Sequence, residues 1–322
     1  MIKKALITGI GGQDGSYLAE LLLSKGYEVH GIELHDIPLP NLAPIEDHIT
    51  VHRGSLLSHG WLKSVISGLQ PDECYHLAAS SFVSYRFDDE SLTLENNIVG
   101  THNLLATLKD LTPASRFFFA GTSEMFGHVD HAPQNENTPL KPRSIYGISK
   151  VAGHNLVQYY RQQHGYYACT GILYNHESPR RGPAFVTRKI TSTAAKIKVG
   201  LESKLVLGNL DAERDWGYAP DYVQAMWLML QADQPRDYVL SSGKLHTVRN
   251  FVEAAFSAVG LDYHGYVEVS PEFYREKENI PLCGDAGRIF AELGWQSSRS
   301  LQEMVAEMVA NDLTLLKIEI KP

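Results

Sequence analysis

Three glycines spaced three residues apart, Gly9, Gly12 and Gly15, stand directly after a short apolar run, Lys4 to Thr8, and directly before a helical stretch, Tyr17 to Lys25. A strand that turns through such a sequence into a helix commits the chain to a βαβ unit and so to parallel sheet. Glycines there let the backbone turn tightly and approach a pyrophosphate, whose charge meets the free N–H groups and dipole of the helix N-terminus. Gly9, Gly12, Gln13, Asp14 and Gly15 are therefore candidate dinucleotide-binding residues. The second strand, Glu28 to Glu33, ends on a carboxylate 24 residues after Gly9, placed to accept hydrogen bonds from both hydroxyls of an adenosine ribose. A 2′-phosphate would meet Glu33 as a like charge, and Leu34, His35 and Asp36 bring no strong cation, so the expected cofactor is NAD.

The alternation continues through Thr50 to Arg53, a helix near Leu62 to Leu69, Glu73 to His76, a long helix over Leu92 to Leu111, and Arg116 to Ala120. The expected fold class is α/β, a Rossmann-type doubly wound parallel sheet with a smaller C-terminal α/β substrate-binding region. We expect a dinucleotide-binding domain over residues 1–170 and a mainly nucleotide-sugar-binding domain over 171–322, with the chain crossing between the two. The formal net charge of −8 and the lack of any long Lys or Arg run argue against nucleic acid as a partner. The most apolar stretches, Phe117 to Gly121 and Ala225 to Leu230, fall far short of the roughly 20 residues that span a bilayer, so no membrane partner is expected. Three scattered cysteines with no Cys-x-x-Cys spacing suit a reducing compartment and argue against a metal site. With no leader-like segment before Ala5, the expectation is a cytoplasmic protein.

Tyr146 and Lys150 are four residues apart, so on a helix both project from one face. A nearby ammonium stabilises a phenolate, and Lys150 is expected to draw the Tyr146 pKa down toward working pH. Alone, such a pair also recurs by chance on helix surfaces. Ala120 to Glu124 follows an apolar strand at the end where doubly wound sheets bind ligands, which aims Thr122, Ser123 and Glu124 at the same cleft. The loop from Pro133 to Pro142 would bring the next helix back to it.

Gly9 to Gly15, His76-Leu77-Ala78-Ala79-Ser80, Thr122-Ser123-Glu124 and Tyr146 to Lys150 together resemble the extended short-chain dehydrogenase/reductases that modify nucleotide sugars. Gly12 to Leu18, Tyr174 to Gly182, Phe185 to Lys189, Gly208 to Ala212 and Arg214 to Gly217 closely resemble the GDP-mannose 4,6-dehydratase family. The resemblance implies an internal redox cycle on a GDP-sugar. Tyr146 takes the proton of the sugar 4-hydroxyl while hydride leaves C4, and Thr122 hydrogen-bonds the C4 oxygen. Glu124 removes the C5 proton and helps the C6 hydroxyl depart as water, and the hydride returns to C6. Ser123 assists or packs. The resemblance also implies Ser55, Leu56, Leu77, Ala78 and Ala79 near the cofactor, and Lys150 on its nicotinamide ribose. It places Ser80, Asn175, Val186, Lys189, Gly208, Arg214, Arg275 and Glu278 around the sugar nucleotide, and it implies a homo-oligomer, at least a dimer.

The chain departs from that family in three places. Glu33-Leu34-His35-Asp36 replaces an Arg-rich segment that grips the 2′-phosphate of NADP, Gly54-Ser55-Leu56 replaces Gly-Asp-Leu, and Arg275-Glu276-Lys277-Glu278 replaces Arg-Pro-Thr-Glu. NADP is thus the family's cofactor and NAD the one Glu33 favours. Arg180 and Arg181 are expected to order a loop or a subunit contact, and His176 to be a structural hydrogen-bonding residue. The alternatives are a nucleotide-sugar 4-reductase or epimerase on the same fold, which needs no acid at C5 and C6, and a non-catalytic dinucleotide-binding regulator, which needs none of Tyr146, Lys150 and Glu124.

Overall fold

The computed structural model describes residues 2–80, 87–273 and 280–319 of the chain. From the N-terminus run β1 (Lys4–Thr8), α1 (Gln13–Ser24), β2 (Glu28–Glu33), β3 (Ile49–Arg53), α2 (His59–Leu69), β4 (Glu73–His76), α3 (Phe87–Leu94), α4 (Gly100–Leu111), β5 (Arg116–Thr122), α5 (Ile145–His164) and β6 (Ala168–Leu173). There follow β7 (Asn175–Glu177), α6 (Val186–Lys198), β8 (Leu205–Leu207), β9 (Glu213–Tyr218), α7 (Ala219–Gln231), β10 (Tyr238–Leu240), β11 (Leu245–Thr247), α8 (Val248–Ala258), β12 (Val267–Val269), α9 (Gly287–Leu293) and α10 (Leu301–Glu319).

Seven parallel strands form the large sheet in the order β10-β6-β5-β4-β1-β2-β3, with the order reversing between β1 and β4 as the alternating pattern predicts. Strands covered on both faces need apolar residues at every position, and β5 supplies them. Phe117 and Phe119 pack with Leu104, Leu108 and Val157 on one face, and Phe118 and Ala120 with Tyr222 and Met226 on the other. A third core joins α6, α8 and α10 through Ile190, Phe251, Val252 and Val305, beside the three-stranded sheet β11-β9-β7.

The expected single helix over Leu92 to Leu111 is interrupted by a π turn at Glu95–Val99. The loop rich in Pro and Asn contains a 3₁₀ segment, Pro40–His48. β6 straddles the 170/171 division, and the chain returns to the large sheet in β10, whose Tyr238 to Leu240 pair with Gly171 to Leu173, while α7 packs on α1.

Phe118 is fully buried against Tyr75, whose ring centroid is 6.2 Å away. Phe118→Ala should cost about 3–5 kcal/mol in urea-induced unfolding through the cavity it leaves, while an exposed change such as Leu201→Ala should leave the midpoint in place.

Candidate active site

The turn after β1 closes on itself, with Gly12 N–H donating to the Gly9 carbonyl at 3.1 Å and Ser16 N–H to the Gly12 carbonyl at 3.1 Å. Gly9 has φ +71° and a Cβ there would lie 2.9 Å from Ala78 Cα, while a Cβ on Gly15 would lie 2.3 Å from the Gly9 carbonyl oxygen. Both positions require glycine. Helix α1 begins without a side-chain cap, which leaves the N–H groups of its first turn for a ligand. Glu33 stands at the end of β2 with its carboxylate accepting from Gly11 N–H and Leu34 N–H, each at 3.2 Å, and retains lone pairs for ribose hydroxyls. Asn41 donates to the Gly11 carbonyl at 3.1 Å, so the loop after β2 braces the turn. Arg53, which pairs with Glu33 in the sheet register, donates instead to the carbonyls of Leu34 and Ile37. A cradle that a Cβ would fill, uncapped N–H groups and a carboxylate at ribose reach fit a nicotinamide dinucleotide.

The side chains of Gln13 and Asp14 do not point into that cradle. Gln13 Nε2 donates to the His176 carbonyl at 3.0 Å, Ser178 Oγ donates to Gln13 Oε1 at 2.8 Å, and Asp14 Oδ2 lies 2.8 Å from His176 Nε2. What these two residues can offer a diphosphate is their backbone N–H. Ser55 Oγ accepts from Leu57 N–H at 3.2 Å, and the Leu56 side chain packs beside Gly100 of α4. Arg180 orders its loop as expected, donating to Ser16 Oγ and Glu20 across to α1.

The carboxyl end of β4 is held by a hydrogen-bond chain that the sequence reading did not single out. Thr101 Oγ1 donates to the Asn97 carbonyl at 2.6 Å, so it accepts from His76 Nε2 at 2.8 Å. His76 Nδ1 then accepts from Thr8 Oγ1 at 2.7 Å, and Thr8 Oγ1 accepts from Ala78 N–H at 3.2 Å. Burial agrees with a neutral ring, pushing His76 down to about 3. Ala78, beside Leu77 and Ala79, is thereby fixed against Gly9. Asn97, buried in the π turn, accepts from Ser80 N–H at 2.9 Å and donates to Ser149 Oγ at 3.0 Å, which donates to the Tyr146 carbonyl at 2.8 Å. A π turn is what rotates Asn97 inward between two elements, and no residue pattern announced it.

The end of β5 and the start of α5 meet closely. A Cβ on Gly147 would come 2.7 Å from the Glu124 carbonyl oxygen, and one on Gly153 2.3 Å from the Phe119 ring. Ser144 caps α5, accepting from Gly147 N–H at 3.0 Å, and Gly127 bridges to Lys141 so that the intervening loop returns the chain to the cleft. Thr122 accepts from Glu124 N–H at 3.3 Å, so the turn is capped by Thr122 and Glu124 has no capping duty. Thr122 also hydrogen-bonds the Tyr146 phenol, and the Glu124 carboxylate acts on that phenol through space. Ser123 is buried.

The electrostatics correct one expectation. Burial first, and Glu124 second, push the Tyr146 phenol up to about 12, against opposing contributions from Thr122 and Arg181. Lys150 is buried, donates to the Ala120 carbonyl at 2.8 Å and sits 5.8 Å from the Tyr146 ring centroid; burial lowers it to about 7. A lysine that gives up its proton near neutrality does not hold the phenol down, so the protein's own groups keep Tyr146 neutral.

In the C-terminal part, Asn175 opens β7 opposite Trp216 of β9, and Arg214 lies on the same β9 strand. Lys189 of α6 donates to the Val206 carbonyl at 2.7 Å and sits 4.6 Å from the Phe273 ring centroid; a Cβ on Gly208 would meet the Phe273 carbonyl oxygen at 2.3 Å. Lys189, Gly208 and the segment entering residue 273 are thus brought together, while Val186 is exposed at the start of α6. Arg275 and Glu278 lie outside the described residues. Asp215, beside Arg214, is fully buried and accepts from Ser242, Gly243 and Gly284 N–H groups at 2.9–3.1 Å, a clamp that fixes β9.

The family model described as GDP-mannose 4,6 dehydratase matches residues 6–308. GDP-mannose 4,6 dehydratase 1 of Arabidopsis thaliana is 44% identical over 98% of this chain and 91% of its own length. GDP-mannose 4,6-dehydratase of Yersinia enterocolitica is 42% identical over 98% and 95%. Among solved structures, dTDP-glucose 4,6-dehydratase of Bacillus anthracis with NAD superposes with a TM-score of 0.86 at 20% identity, covering 98% of both chains. RMD of Pseudomonas aeruginosa with NADPH gives 0.83 at 23%, covering 98% of this chain and 99% of that one; at these identities both show the fold.

Two titrations check the electrostatics. The Lys150 side-chain resonance should move through a midpoint near 7 and vanish in Lys150→Met. The ultraviolet phenolate difference between wild type and Tyr146→Phe should stay flat until close to pH 12.

Proposed function

The chain belongs to the GDP-mannose 4,6-dehydratase family, and from that premise we propose that it converts a GDP-linked hexose, GDP-mannose first, to the GDP-4-keto-6-deoxy sugar and water. The observation that carries this reading is the Glu124 carboxylate beside the Tyr146 phenol, with Thr122 bonded to both residues. A 4-reductase or epimerase needs the phenol but has no work for a second acid–base group at that point.

A nicotinamide dinucleotide, when bound at the glycine turn, supplies the acceptor that takes hydride from sugar C4 and returns it at C6. Tyr146, which the protein's own groups keep neutral, acts in its phenolate form to remove the proton of the 4-hydroxyl, and Thr122 holds the C4 oxygen by hydrogen bonding. The resulting ketone acidifies C5–H; Glu124 takes that proton and delivers it to the departing C6 hydroxyl, and when hydride is returned at C6 the proton held by Tyr146 goes back to the sugar at C5. Glu124 thus ends the cycle in the state in which it began. Ser123, buried, packs the turn. Lys150 anchors α5 to the Ala120 carbonyl and would hold the nicotinamide ribose. Ser80, Asn175, Val186, Lys189, Gly208 and Arg214, with Arg275 and Glu278, are proposed for the sugar nucleotide, cations meeting its diphosphate.

NAD is the proposed cofactor because Glu33 would repel a 2′-phosphate and Arg53 is already bonded to loop carbonyls. We further propose a homodimer through the helical segments Leu92–Leu111 and Ser149–Gln163, where Leu92, Val99 and Tyr159, with Ile148 just before the second segment, expose apolar surface. Among the described residues no helix is long and apolar enough to cross a membrane. The free thiols of Cys74, Cys169 and Cys283 support a reducing, cytoplasmic setting.

Incubation with GDP-mannose and NAD, followed by mass spectrometry, should show loss of one water; an unchanged sugar with cofactor bound would send the search to other nucleotide sugars, GDP-heptoses first. Glu124→Gln should still accumulate the C4-oxidised sugar with its C6 hydroxyl intact but slow water loss by about 10²–10⁴, whereas Tyr146→Phe should stop at the starting sugar. Equal loss of C4 oxidation in both would refute the division of roles. Glu33→Ala should relax preference for NAD over NADP, and a wild type that prefers NADP would contradict the reading of Glu33.

A further inference from the structure

His176 is fixed at both ring nitrogens. Nδ1 lies 2.7 Å from the Tyr174 carbonyl oxygen and Nε2 2.8 Å from Asp14 Oδ2. A carbonyl only accepts, so Nδ1 carries a proton, and opposite an ionised carboxylate Nε2 carries the second. Burial opposes charge on both partners, yet their mutual attraction and hydrogen bond prevail, holding Asp14 below its ordinary value and His176 above. The imidazolium is buried and stacks on Tyr222 at 4.4 Å between centroids. The other charges at hand are Arg181, which favours ionised Asp14 and opposes the imidazolium, and Glu177, whose Oε2 is 3.2 Å from Arg181 Nε. Two cations and two carboxylates therefore balance behind the first turn of α1.

That position matters because Asp14 sits between Gly12 and Gly15, in the turn whose N–H groups would meet the cofactor diphosphate. An uncompensated carboxylate there would set a negative charge beside an incoming dianion. We propose that His176 is a positioning residue for the dinucleotide, neutralising Asp14 and holding its carboxylate against β7 so that the first turn of α1 offers its N–H groups without a free negative charge beside them. The Gln13–Ser178 and Arg180–Glu20 bonds staple the same two segments and keep the pair in register. The inference rests on the dinucleotide reading of the glycine turn and is independent of the sugar chemistry.

The test is NAD affinity of the full chain without sugar nucleotide, by titration calorimetry, for wild type, D14N, H176N and D14N/H176N. H176N should weaken binding about tenfold or more, the effect of one unbalanced unit charge within about 10 Å at an effective dielectric near 20. Removing the carboxylate as well should restore affinity to within about threefold of D14N. Unchanged affinity in H176N, or a double variant no tighter than H176N, overturns the proposal, because a packing role cannot be rescued at residue 14. Should H176N fail to fold, pH decides: the raised ring pKa means the cation is lost as pH rises, so wild-type affinity should fall with rising pH more steeply than that of D14N, and parallel profiles overturn the proposal. A wild type that binds neither NAD nor NADP overturns the underlying reading instead.

Discussion

The approach of α5 to the end of β5 is the contact on which the site depends. At Gly147 the helix comes so near the turn after β5 that a methyl group would touch the Glu124 carbonyl, and at Gly153 it rests on Phe119. Lys150 then reaches the Ala120 carbonyl from the helix side. These contacts set Tyr146 against Thr122 and Glu124, since a side chain four residues from Lys150 on one helix face has little freedom once Lys150 is pinned. Catalytic groups on two rigid elements locked by steric fit keep their geometry better than groups on loops.

The chemistry of that corner is divided by environment. Tyr146 and Lys150 share a helix face, yet burial moves their proton affinities in opposite directions, up for the phenol and down for the amine, because in each case it is the charged form that loses its hydration. The pair is thus neutral at rest to an extent the spacing alone does not imply. A positive charge brought by an oxidised nicotinamide would shift that balance toward phenolate. Asp14 and His176 reverse the pattern, since their mutual attraction outweighs burial and both stay charged.

The large sheet was legible because its determinants are local. Gly9, Gly12 and Gly15 after an apolar strand, Glu33 at the end of the next, and the apolar run of β5 each state their place in the fold within a few residues. The meeting of Thr122, Glu124, Tyr146 and Lys150 at one corner was legible through strand-end position, helical spacing and familiar strings. Asn97 was not, because a π turn changes which way a residue faces without changing the periodicity around it. The inward turn of Gln13 and Asp14 depends on His176 and Ser178, more than 160 residues away, and Asp215 answers to backbone donors in two distant loops. Long-range polar partners of this kind leave no trace in spacing.

The return of the chain to its first sheet has a consequence for biosynthesis. Helix α1 is covered by α7, whose first residue, Ala219, is made 206 positions after Gln13, and β6 gains its outer neighbour only when β10 has been made. At about 5–20 residues per second, the α7-facing side of α1 waits roughly 10–40 s on the ribosome for its cover. The N-terminal segment is therefore an unfinished surface during translation, a site for chaperones and for wrong pairing. Its stability as a free fragment is set by what the last third of the gene has yet to encode.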